Sequence, residues 1–567
     1  MLSACDGSDR REDPLSEFKR QTLAWSDCDA DTKASLDLIY PEAGALRIQC
    51  TQMRAPRDYT APETGEVTVG MLRVKALAGE GTAPEPMLFN PGGPGGDGYL
   101  ISVIRAAQLD EVVQGAGSGT AATRQMALKL LQSYDLIGFS PRGTGHSTRL
   151  KCESAQQLEP VDHSLAGRIP SNIRAELANI EKKAEACASN PLTPFINSDA
   201  TARDMDLMRE VLGGKKLHFY GASYGTWLGL WYASVFPQNV GRMVLDSNMD
   251  FTSDFSQAGI NSIWSMDRTF KELIAPYAAG HPDVYGLGND AQAIRDLPGQ
   301  LPAAIRSAAA RQMGANMNMS KNAPFVAFAL AAGRALSQPP FVDLWPLGVT
   351  GGDFAQMDKL IDQHRFADDA EINGEVQWQA KKIVERVVAD LQRPTVSFGG
   401  YPAVYKAVVC NDMPSASDDP QWWSKRYTEL YETYPLADLE GYESCMYWKR
   451  PAAVRKPSLS AMKDLDVMLV QSQYDVPTPH ENARAVLAQL PKSHMVYVTN
   501  EMNHGVFPYS DECVDSNVLA YLLGSSPKDQ ITTCTGRTID ETRGTATQKS
   551  GRRFERPTNL KPDGIMW

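Results

Sequence analysis

The sequence has no long apolar run and none of the common metal-binding patterns. Its most apolar stretch, Phe325–Ala332, is far shorter than the ~18 residues of a membrane-spanning helix and soon meets Arg334. The eight histidines form no HExxH pattern and no Cys-x-x-Cys pair occurs, so we predict neither a metal nor another cofactor. An excess of positive charge is also lacking, because the formal net charge is -12, which argues against nucleic acid as a partner.

The remaining composition is that of an ordinary folded protein. Hydrophobic residues make up 43% of the 567 residues and charged residues 22%, which excludes disorder, collagen and coiled coil as the main class. At ~150 residues per domain the length fits three to four domains, but one large α/β fold with insertions also fits.

The cysteines indicate the compartment. Eight of the nine pair as successive neighbours along the chain, which predicts four local disulfides and an oxidising environment. The alternative is eight buried free thiols. The predicted pairs are Cys28–Cys50, Cys152–Cys187, Cys410–Cys445 and Cys513–Cys534.

Cys5 has no partner in this scheme. Leu2-Ser3-Ala4-Cys5 resembles the end of a bacterial lipoprotein signal, in which the cysteine is lipidated, although the charged and apolar regions that precede such a cysteine are absent. On this hypothesis the protein is extracytoplasmic (periplasmic, in the cell envelope or secreted), and the polar stretch Asp6–Arg20 tethers it to a lipid anchor.

Strand-like and helical patterns alternate in two parts of the chain. Such alternation predicts a mostly parallel sheet with helices on both faces. Between the two parts helical patterns dominate, and six of the ten tryptophans lie there, which predicts a helical cap inserted into one α/β fold. We therefore divide the chain into a tether (1–24), a first core part (25–250), a cap (251–450), a second core part (451–534) and a tail (535–567). The predicted strands are Met87–Asn90, Tyr134–Phe139, Leu217–Tyr220, Arg242–Leu245, Val467–Gln471 and Met495–Thr499.

The stretch Gly221–Gly225 reads Gly-Ala-Ser-Tyr-Gly, a G-x-S-x-G pattern between a strand-like and a helix-like segment. In that context the pattern predicts a nucleophile elbow, a tight turn that lifts the hydroxyl of Ser223 above the sheet. The backbone N–H of Tyr224 then faces the oxyanion. The alternative is a purely structural glycine-rich turn.

A second glycine-rich loop, Asn90–Gly98, follows an apolar strand. Such a loop lets backbone N–H groups approach a ligand, and we predict that it supplies the other half of an oxyanion hole, with Gly93 favoured and Gly92 next. A phosphate cradle is the alternative, but neither a GKS/T nor a GxGxxG pattern with a following acid is present.

The acid and base of such a site follow the serine in the order Ser, Asp or Glu, His. Asp475 comes just after one predicted strand and His504 just after the next, so both lie on loops at strand C-termini, as Ser223 does. We predict the catalytic triad Ser223, Asp475 and His504, with Asp246 as the rival acid.

These stretches resemble the α/β-hydrolase serine peptidases of the tripeptidyl aminopeptidase and proline iminopeptidase group, most closely the secreted bacterial tripeptidyl-aminopeptidase-like branch. The resemblance runs from about Trp25 to Cys534. It implies an α/β-hydrolase fold and cleavage of short peptides from a free N-terminus beneath a helical cap. It rests on Trp25–Cys28, Asn90–Gly96, Gly138–Ser147, Gly221–Gly225, Asp475–Pro479, Asn503–Gly505 and the pair Cys513 and Cys534.

The chain departs from the group's pattern at several positions. Ser140 stands where the group usually has Asp, Asp97 where it has Ser, and Asn503 where it has Gly. The early stretch Ala55–Tyr59 also differs. None of these departures removes a member of the triad, so they bear on substrate range more than on reaction type.

An aminopeptidase needs an anion for the substrate's ammonium group, because burying an unpaired cation is costly. Asp412 and Glu443 are candidates because each is two residues from a cysteine of one predicted disulfide, although both can equally be ordinary surface acids. We predict a serine exopeptidase that releases short N-terminal segments. The alternatives are a carboxylesterase or amidase of the same fold and a non-catalytic binding module.

Overall fold

A computed structural model gives the fold of most of the chain. Cys5 and most of the predicted tail lie outside the residues that it describes. The described residues are 13–39, 46–77, 83–159, 161, 170–344, 354–391, 395–437, 442–448 and 454–541.

The strands run through both parts of the predicted core. Numbered along the chain, the strands are β1 (Ile48–Pro56), β2 (Glu66–Val74), β3 (Glu85–Asn90), β4 (Tyr134–Phe139), β5 (Lys151–Gln157), β6 (Leu217–Ser223), β7 (Val240–Asn248), β8 (Thr395–Gly399), β9 (Met468–Ser472), β10 (His494–Thr499) and β11 (Ile531–Thr535). All six predicted strands are found, whereas the sequence does not predict β1, β2, β5, β8 and β11.

The described residues form a nine-stranded sheet in the order β1-β2-β4-β3-β6-β7-β9-β10-β11. Strand β2 is antiparallel to both of its neighbours, and the other neighbouring pairs are parallel. The predicted mostly parallel α/β sheet is confirmed. Because β6, β7, β9 and β10 are mutually parallel, their C-terminal ends meet at one edge of the sheet.

Helices connect the strands and fill the region between β7 and β9. The helices are α1 (Ser16–Lys19), α2 (Ala30–Ile39), α3 (Ile101–Val113), α4 (Ala121–Ser133), α5 (Pro170–Ala188), α6 (Ser198–Val211), α7 (Tyr224–Val235), α8 (Phe255–Thr269), α9 (Ala275–Ala279), α10 (Pro282–Tyr285), α11 (Ala291–Gln300), α12 (Ala303–Gly314), α13 (Ala323–Leu336), α14 (Phe354–Gln363), α15 (Ala370–Leu391), α16 (Tyr401–Asp412), α17 (Pro420–Thr433), α18 (His480–Leu487) and α19 (Glu512–Leu522).

Both faces of the sheet are covered by helices. Leu109 of α3, Leu130 of α4 and Leu519 of α19 belong to the apolar core on one face. Met205 of α6 and Trp227 of α7 belong to the core on the other face. Parallel strands buried on both sides are what the near-continuous apolar runs of the sequence predict.

The predicted cap (residues 251–450) contains two structurally different parts. Its helices α9 to α15, together with the C-terminal half of α8, which contributes Met266, pack around their own apolar core, which includes Ala308, Phe328 and Val384. Residues 395–412 instead join the main fold, because β8 pairs with β5 and because Val404 and Val408 of α16 lie in the main core. The proposed cap is therefore continuous with the main fold at its C-terminal part.

The described end of the predicted tether is packed on the core. Phe18 of α1 is 6% exposed and belongs to the main core, and the side chain of Gln21 bonds to both backbone groups of Arg54. An aromatic side chain gains free energy by leaving water, so residues 13–24 are held to the fold and the proposed tether shortens to the residues before them.

Disulfides connect the eight cysteines in the predicted pairs Cys28–Cys50, Cys152–Cys187, Cys410–Cys445 and Cys513–Cys534. These bonds indicate an oxidising, extracytoplasmic compartment. No helix in the described part of the chain has both the length and the apolar character needed to cross a membrane.

Candidate active site

Ser223 lies on a sharp turn between β6 and α7. Its φ is 57° and its ψ is -126°, a strained conformation for a residue with a side chain. A Cβ on Gly221 would lie 2.3 Å from the carbonyl oxygen of Gly225, and one on Gly225 would lie 2.6 Å from that of Asn90. Both glycines of the pattern are therefore required sterically. The turn leaves Ser223 partly exposed at the C-terminal edge of the sheet.

The glycine-rich loop after β3 passes directly over this turn. A Cβ on Gly92 would lie 2.8 Å from the backbone nitrogen of Tyr224, so only glycine fits there. The N–H of Gly92 donates to Asn90 Oδ1 at 3.0 Å. Because that donor is engaged, Gly93 remains the better candidate for the oxyanion hole, together with the N–H of Tyr224 in the first turn of α7.

Asp475 and His504 follow β9 and β10 at the edge where Ser223 follows β6. His504 Nδ1 lies 3.0 Å from Oδ1 and 3.2 Å from Oδ2 of Asp475, whose side chain is fully buried. The N–H of Thr478 also donates to Asp475 Oδ1, at 2.9 Å. With Nδ1 engaged by the carboxylate, Nε2 is the ring nitrogen that can accept a proton from the serine.

The surroundings of His504 raise its pKa above the ordinary histidine value. Burial by itself lowers the pKa of the imidazole, but the charge and hydrogen bond of Asp475 and the charge of Asp246 more than offset this effect. The protein thus stabilises the protonated form of the His504 imidazole.

Asp246, the rival acid, binds the backbone of the histidine loop instead of the ring. Its carboxylate is fully buried and accepts hydrogen bonds from the N–H groups of Val506 and Phe507 and from the hydroxyl of Tyr220. Burial raises the pKa of Asp246. This geometry supports Asp475 as the acid and places Asp246 against the backbone that follows His504.

The other histidines near these strands have partners elsewhere. His480 and His494 each direct Nδ1 at a backbone carbonyl, and His218 contacts the carboxylate of Glu85 at 2.6 Å. Their contacts agree with the choice of His504 as the candidate base.

Two departures from the group's pattern are complementary in space. Ser140 Oγ donates to Asp97 Oδ1 at 2.7 Å and accepts the N–H of His146 at 3.0 Å. The two positions that depart from the pattern are thus hydrogen-bonded to each other in this chain. The neighbouring Arg142 is fully buried in an ion pair with Asp204, which also makes this loop a structural element.

Of the two predicted substrate acids, Asp412 is not open to a ligand. It is 2% exposed, and its carboxyl oxygens accept the N–H and the hydroxyl of Ser198, whose Oγ also lies 2.6 Å from the hydroxyl of Tyr224. Burial raises the pKa of Asp412 to about 7. The cysteine spacing correctly implied proximity to a disulfide, but spacing carries no information on burial. The side chain of Glu443 lies outside those described.

The raised pKa of Asp412 predicts a pH-dependent stability. The folded carboxyl keeps its proton up to about pH 7, whereas the unfolded one loses it near 3.8, so the free energy of unfolding falls as pH rises through this window. Asp412→Asn stays neutral and should flatten this slope, with a gain above about pH 7 of no more than ~4 kcal/mol, at ~1.4 kcal/mol per pKa unit. Urea unfolding at pH values on both sides of the window measures the slope.

Substitution of the exposed Asp418 is the control, and Asp418→Asn should keep the wild-type slope. An unchanged slope in Asp412→Asn would show that this carboxyl is not the group responsible.

Residues of the predicted cap also reach the site, which the sequence analysis missed. The ring of Tyr401 lies 3.0 Å from the position of a Cβ on Gly93, beside the oxyanion loop. The N–H of His504 donates to the carbonyl oxygen of Asn318 at 2.8 Å. Single polar or aromatic residues within helical patterns give no signal of such contacts in the sequence.

Comparisons with known proteins agree with this geometry. A family model described as "alpha/beta hydrolase fold" matches residues 85–279, and one described as "TAP-like protein" matches residues 436–534. A tripeptidyl aminopeptidase of Streptomyces coelicolor is 27% identical over 91% of this chain and 86% of its own length. The serine protease Hip1 of Mycobacterium tuberculosis is 24% identical over 89% of both chains. A carboxylesterase B of the same species is 24% identical over 85% of this chain and 86% of its own length. These matches confirm the predicted fold class and the predicted resemblance.

Proposed function

We propose that this α/β hydrolase, a serine hydrolase similar to the tripeptidyl aminopeptidases, is an exopeptidase that cleaves peptide bonds near a free N-terminus. The observation that carries the proposal is the placement of Ser223 on its strained elbow, at the same sheet edge as the paired Asp475 and His504. The similarity of the chain to a tripeptidyl aminopeptidase over nearly its whole length supports peptides as the substrate class.

The proposed reaction follows from the positions of these groups. His504 Nε2 takes the proton of Ser223 as Oγ attacks the scissile carbonyl, and Asp475 holds the imidazole in the required tautomer. The N–H groups of Gly93 and Tyr224 stabilise the oxyanion of the tetrahedral intermediate. His504 then protonates the leaving amine. Water next attacks the acyl carbonyl as His504 takes its proton, and His504 returns that proton to Ser223 Oγ as the bond between Oγ and the acyl carbon breaks.

The cap supports an exopeptidase over an endoprotease. Asn318, in its helical part, contacts the histidine loop, and Tyr401, in the part of the predicted cap that joins the main fold, contacts the oxyanion loop. Both segments lie beside the proposed reacting groups, where they hinder the passage of a long chain. A free N-terminus bound under the cap requires an acidic partner. With both oxygens of Asp412 occupied by Ser198, Glu443 remains the candidate for that partner.

A carboxylesterase or amidase of the same fold is the second candidate. The same nucleophile, base and oxyanion donors hydrolyse esters, and a relative named carboxylesterase B covers most of the chain. The two candidates differ in the contribution of the peptide part of the substrate, because an exopeptidase uses remote binding energy to accelerate the chemical step.

Kinetics on a panel of chromogenic substrates tests the proposal. The panel contains amides of one, two and three residues with free N-termini, the N-blocked tripeptide amide and short-chain esters. We expect the free tripeptide amide to have the highest kcat/KM, at least about 100-fold above its blocked form, since the blocked form leaves the acidic partner unpaired. Equal turnover of both forms, with faster ester hydrolysis, would support the esterase instead.

The location of the protein in an extracytoplasmic compartment follows from its disulfides, and we propose a finer placement. Cys5 is lipidated, and the residues before 13 connect the lipid to the folded core. An unmodified Cys5 in the mass spectrum of the natively produced protein would exclude this anchor.

A further inference from the structure

The loop that carries His504 is bound by residues of the cap. Besides the bond from the N–H of His504 to the carbonyl of Asn318, the N–H of Ser320 donates to Asn503 Oδ1 at 2.8 Å. Residues 318 and 320 lie in the connection between α12 and α13, far from the histidine in sequence. This connection therefore binds both His504 and the residue that precedes it.

A buried carboxylate strengthens this junction. Glu501 is 1% exposed, and its Oε1 accepts the N–H groups of Met502 and Asn503 and the hydroxyl of Ser320. Its Oε2 accepts the hydroxyl of Tyr509. A buried carboxylate is costly unless such donors surround it, so Glu501 fixes the backbone just before His504 and joins it to the cap.

The loop that carries the acid is bound by the cap as well. Ser265 of α8 donates its hydroxyl to the backbone carbonyl of Asp475 at 2.8 Å, and Thr269 donates to that of Tyr474 at 3.2 Å.

Apolar contacts reinforce both loops. Val476, next to the acid, and Met502, two residues before the base, are buried in the apolar core of the cap and not in the core of the sheet. Each loop therefore has a side chain and a backbone group fixed by the same helical unit.

We propose that the cap sets the geometry of the Asp475–His504 pair, with Ser320 and Glu501 as positioning residues for the base. The proposal rests on the proposed roles of Asp475 and His504. A displacement of ~1 Å of a reacting group costs about 100-fold in rate. The contacts that fix the positions of the Asp475 and His504 loops relative to each other are therefore expected to affect the rate of the chemical step.

The test is Ser320→Ala, which removes the cap's hydroxyl from Glu501 and leaves both carboxylates near His504, those of Asp475 and Asp246, in place. We expect kcat for a tripeptide amide to fall about tenfold with KM within about twofold, because the loss falls on the transition state. The acidic limb of the kcat/KM profile should also move to lower pH, because a looser contact with Asp475 raises the pKa of His504 less.

A matched control removes a similar hydroxyl–carboxylate bond between two helices outside the predicted cap, α6 and α7. Tyr232 of α7 is buried and donates to Asp206 at 2.9 Å. Tyr232→Phe should lower the melting temperature by an amount comparable to Ser320→Ala while kcat and the acidic limb stay those of the wild type. The same result for Ser320→Ala would overturn the proposal, since the cap contact would then be structural only.

A second variant tests the acid side independently, so that a folding failure of one variant does not leave the question open. Ser265→Ala removes the hydroxyl bound to the Asp475 carbonyl, and we expect a several-fold fall in kcat with KM kept. In the double variant the losses should be less than additive, because both act through one Asp–His pair. Wild-type kcat in Ser265→Ala would overturn the proposal. Full activity of His504→Ala would instead overturn the proposed function, so the two failures are distinguishable.

Discussion

Ser223→Ala is expected to lower kcat for a free tripeptide amide by about 10⁶-fold, the order of loss when the nucleophile of a well-studied serine protease is removed. The oxyanion donors and substrate binding remain, so a residual acceleration of about 10³–10⁴ over water is expected to survive. Steady-state kinetics at high enzyme concentration measures this remaining activity. Covalent labelling of the variant by a fluorophosphonate should be lost completely.

A matched control separates loss of the hydroxyl from strain at the turn. Ser510 also has a positive φ, 58° against 57° for Ser223, and lies outside the proposed machinery. The Ser510→Ala variant should therefore be labelled by the fluorophosphonate, and should hydrolyse the tripeptide amide, at the wild-type rates. Fluorophosphonate labelling of Ser223→Ala at the wild-type rate would show that the nucleophile is another residue.

The second large effect is expected from Asp475→Asn, with a fall in kcat of about 10⁴-fold, because the amide holds the imidazole in the wrong tautomer. The carboxylate of Asp475 also raises the pKa of His504. Wild-type activity is lost as pH falls and His504 takes up a proton, so the acidic limb should lie above the ordinary histidine value of ~6.5. In Asp475→Asn the limb should move to lower pH, which the pH dependence of kcat/KM measures.

Asp246→Asn is the comparison for this variant, because Asp246 is the rival acid and is also buried near His504. Its carboxylate binds the backbone of Val506 and Phe507, so the substitution should lower thermal stability and cost far less in kcat than Asp475→Asn. A larger loss of kcat in Asp246→Asn than in Asp475→Asn would reverse the assignment of the acid.

The sequence predicts the candidate triad because each of its three residues is marked by a local feature. The serine lies in a turn that requires glycine, and the acid and the base each follow a strand. The turn at Ser223 requires glycine on both sides, and the order of serine, acid and base along the chain follows the order of the parallel strands. The strands β4 and β10 are predicted nearly to the residue because they are short and largely apolar. The disulfides follow because each pair is local in sequence.

The sequence does not predict features that depend on contacts between distant segments. Strands β1 and β2 pair antiparallel at the edge of the sheet. Their buried and exposed positions are mixed along the strand, so their apolar residues do not set them apart from other half-buried segments of the sequence. Asp412 reads as a surface acid until its burial against Ser198 is seen. Ser320 and Glu501 meet across ~180 residues of chain, and no local pattern marks either residue.

The relation between Asp97 and Ser140 also depends on such a contact. Each residue taken alone is a departure from the group's pattern, and only the structure shows that the two side chains are hydrogen-bonded to each other.

Product analysis of one peptide in two forms tests the central claim most directly. A peptide of about ten residues is incubated with the enzyme with its N-terminus either free or acetylated, and the products are identified by mass spectrometry, with Ser223→Ala as the blank. We expect stepwise release of short N-terminal segments, tripeptides first, from the free form, with the acetylated form left intact. Equal cleavage of the two forms, or internal fragments from either, would contradict it.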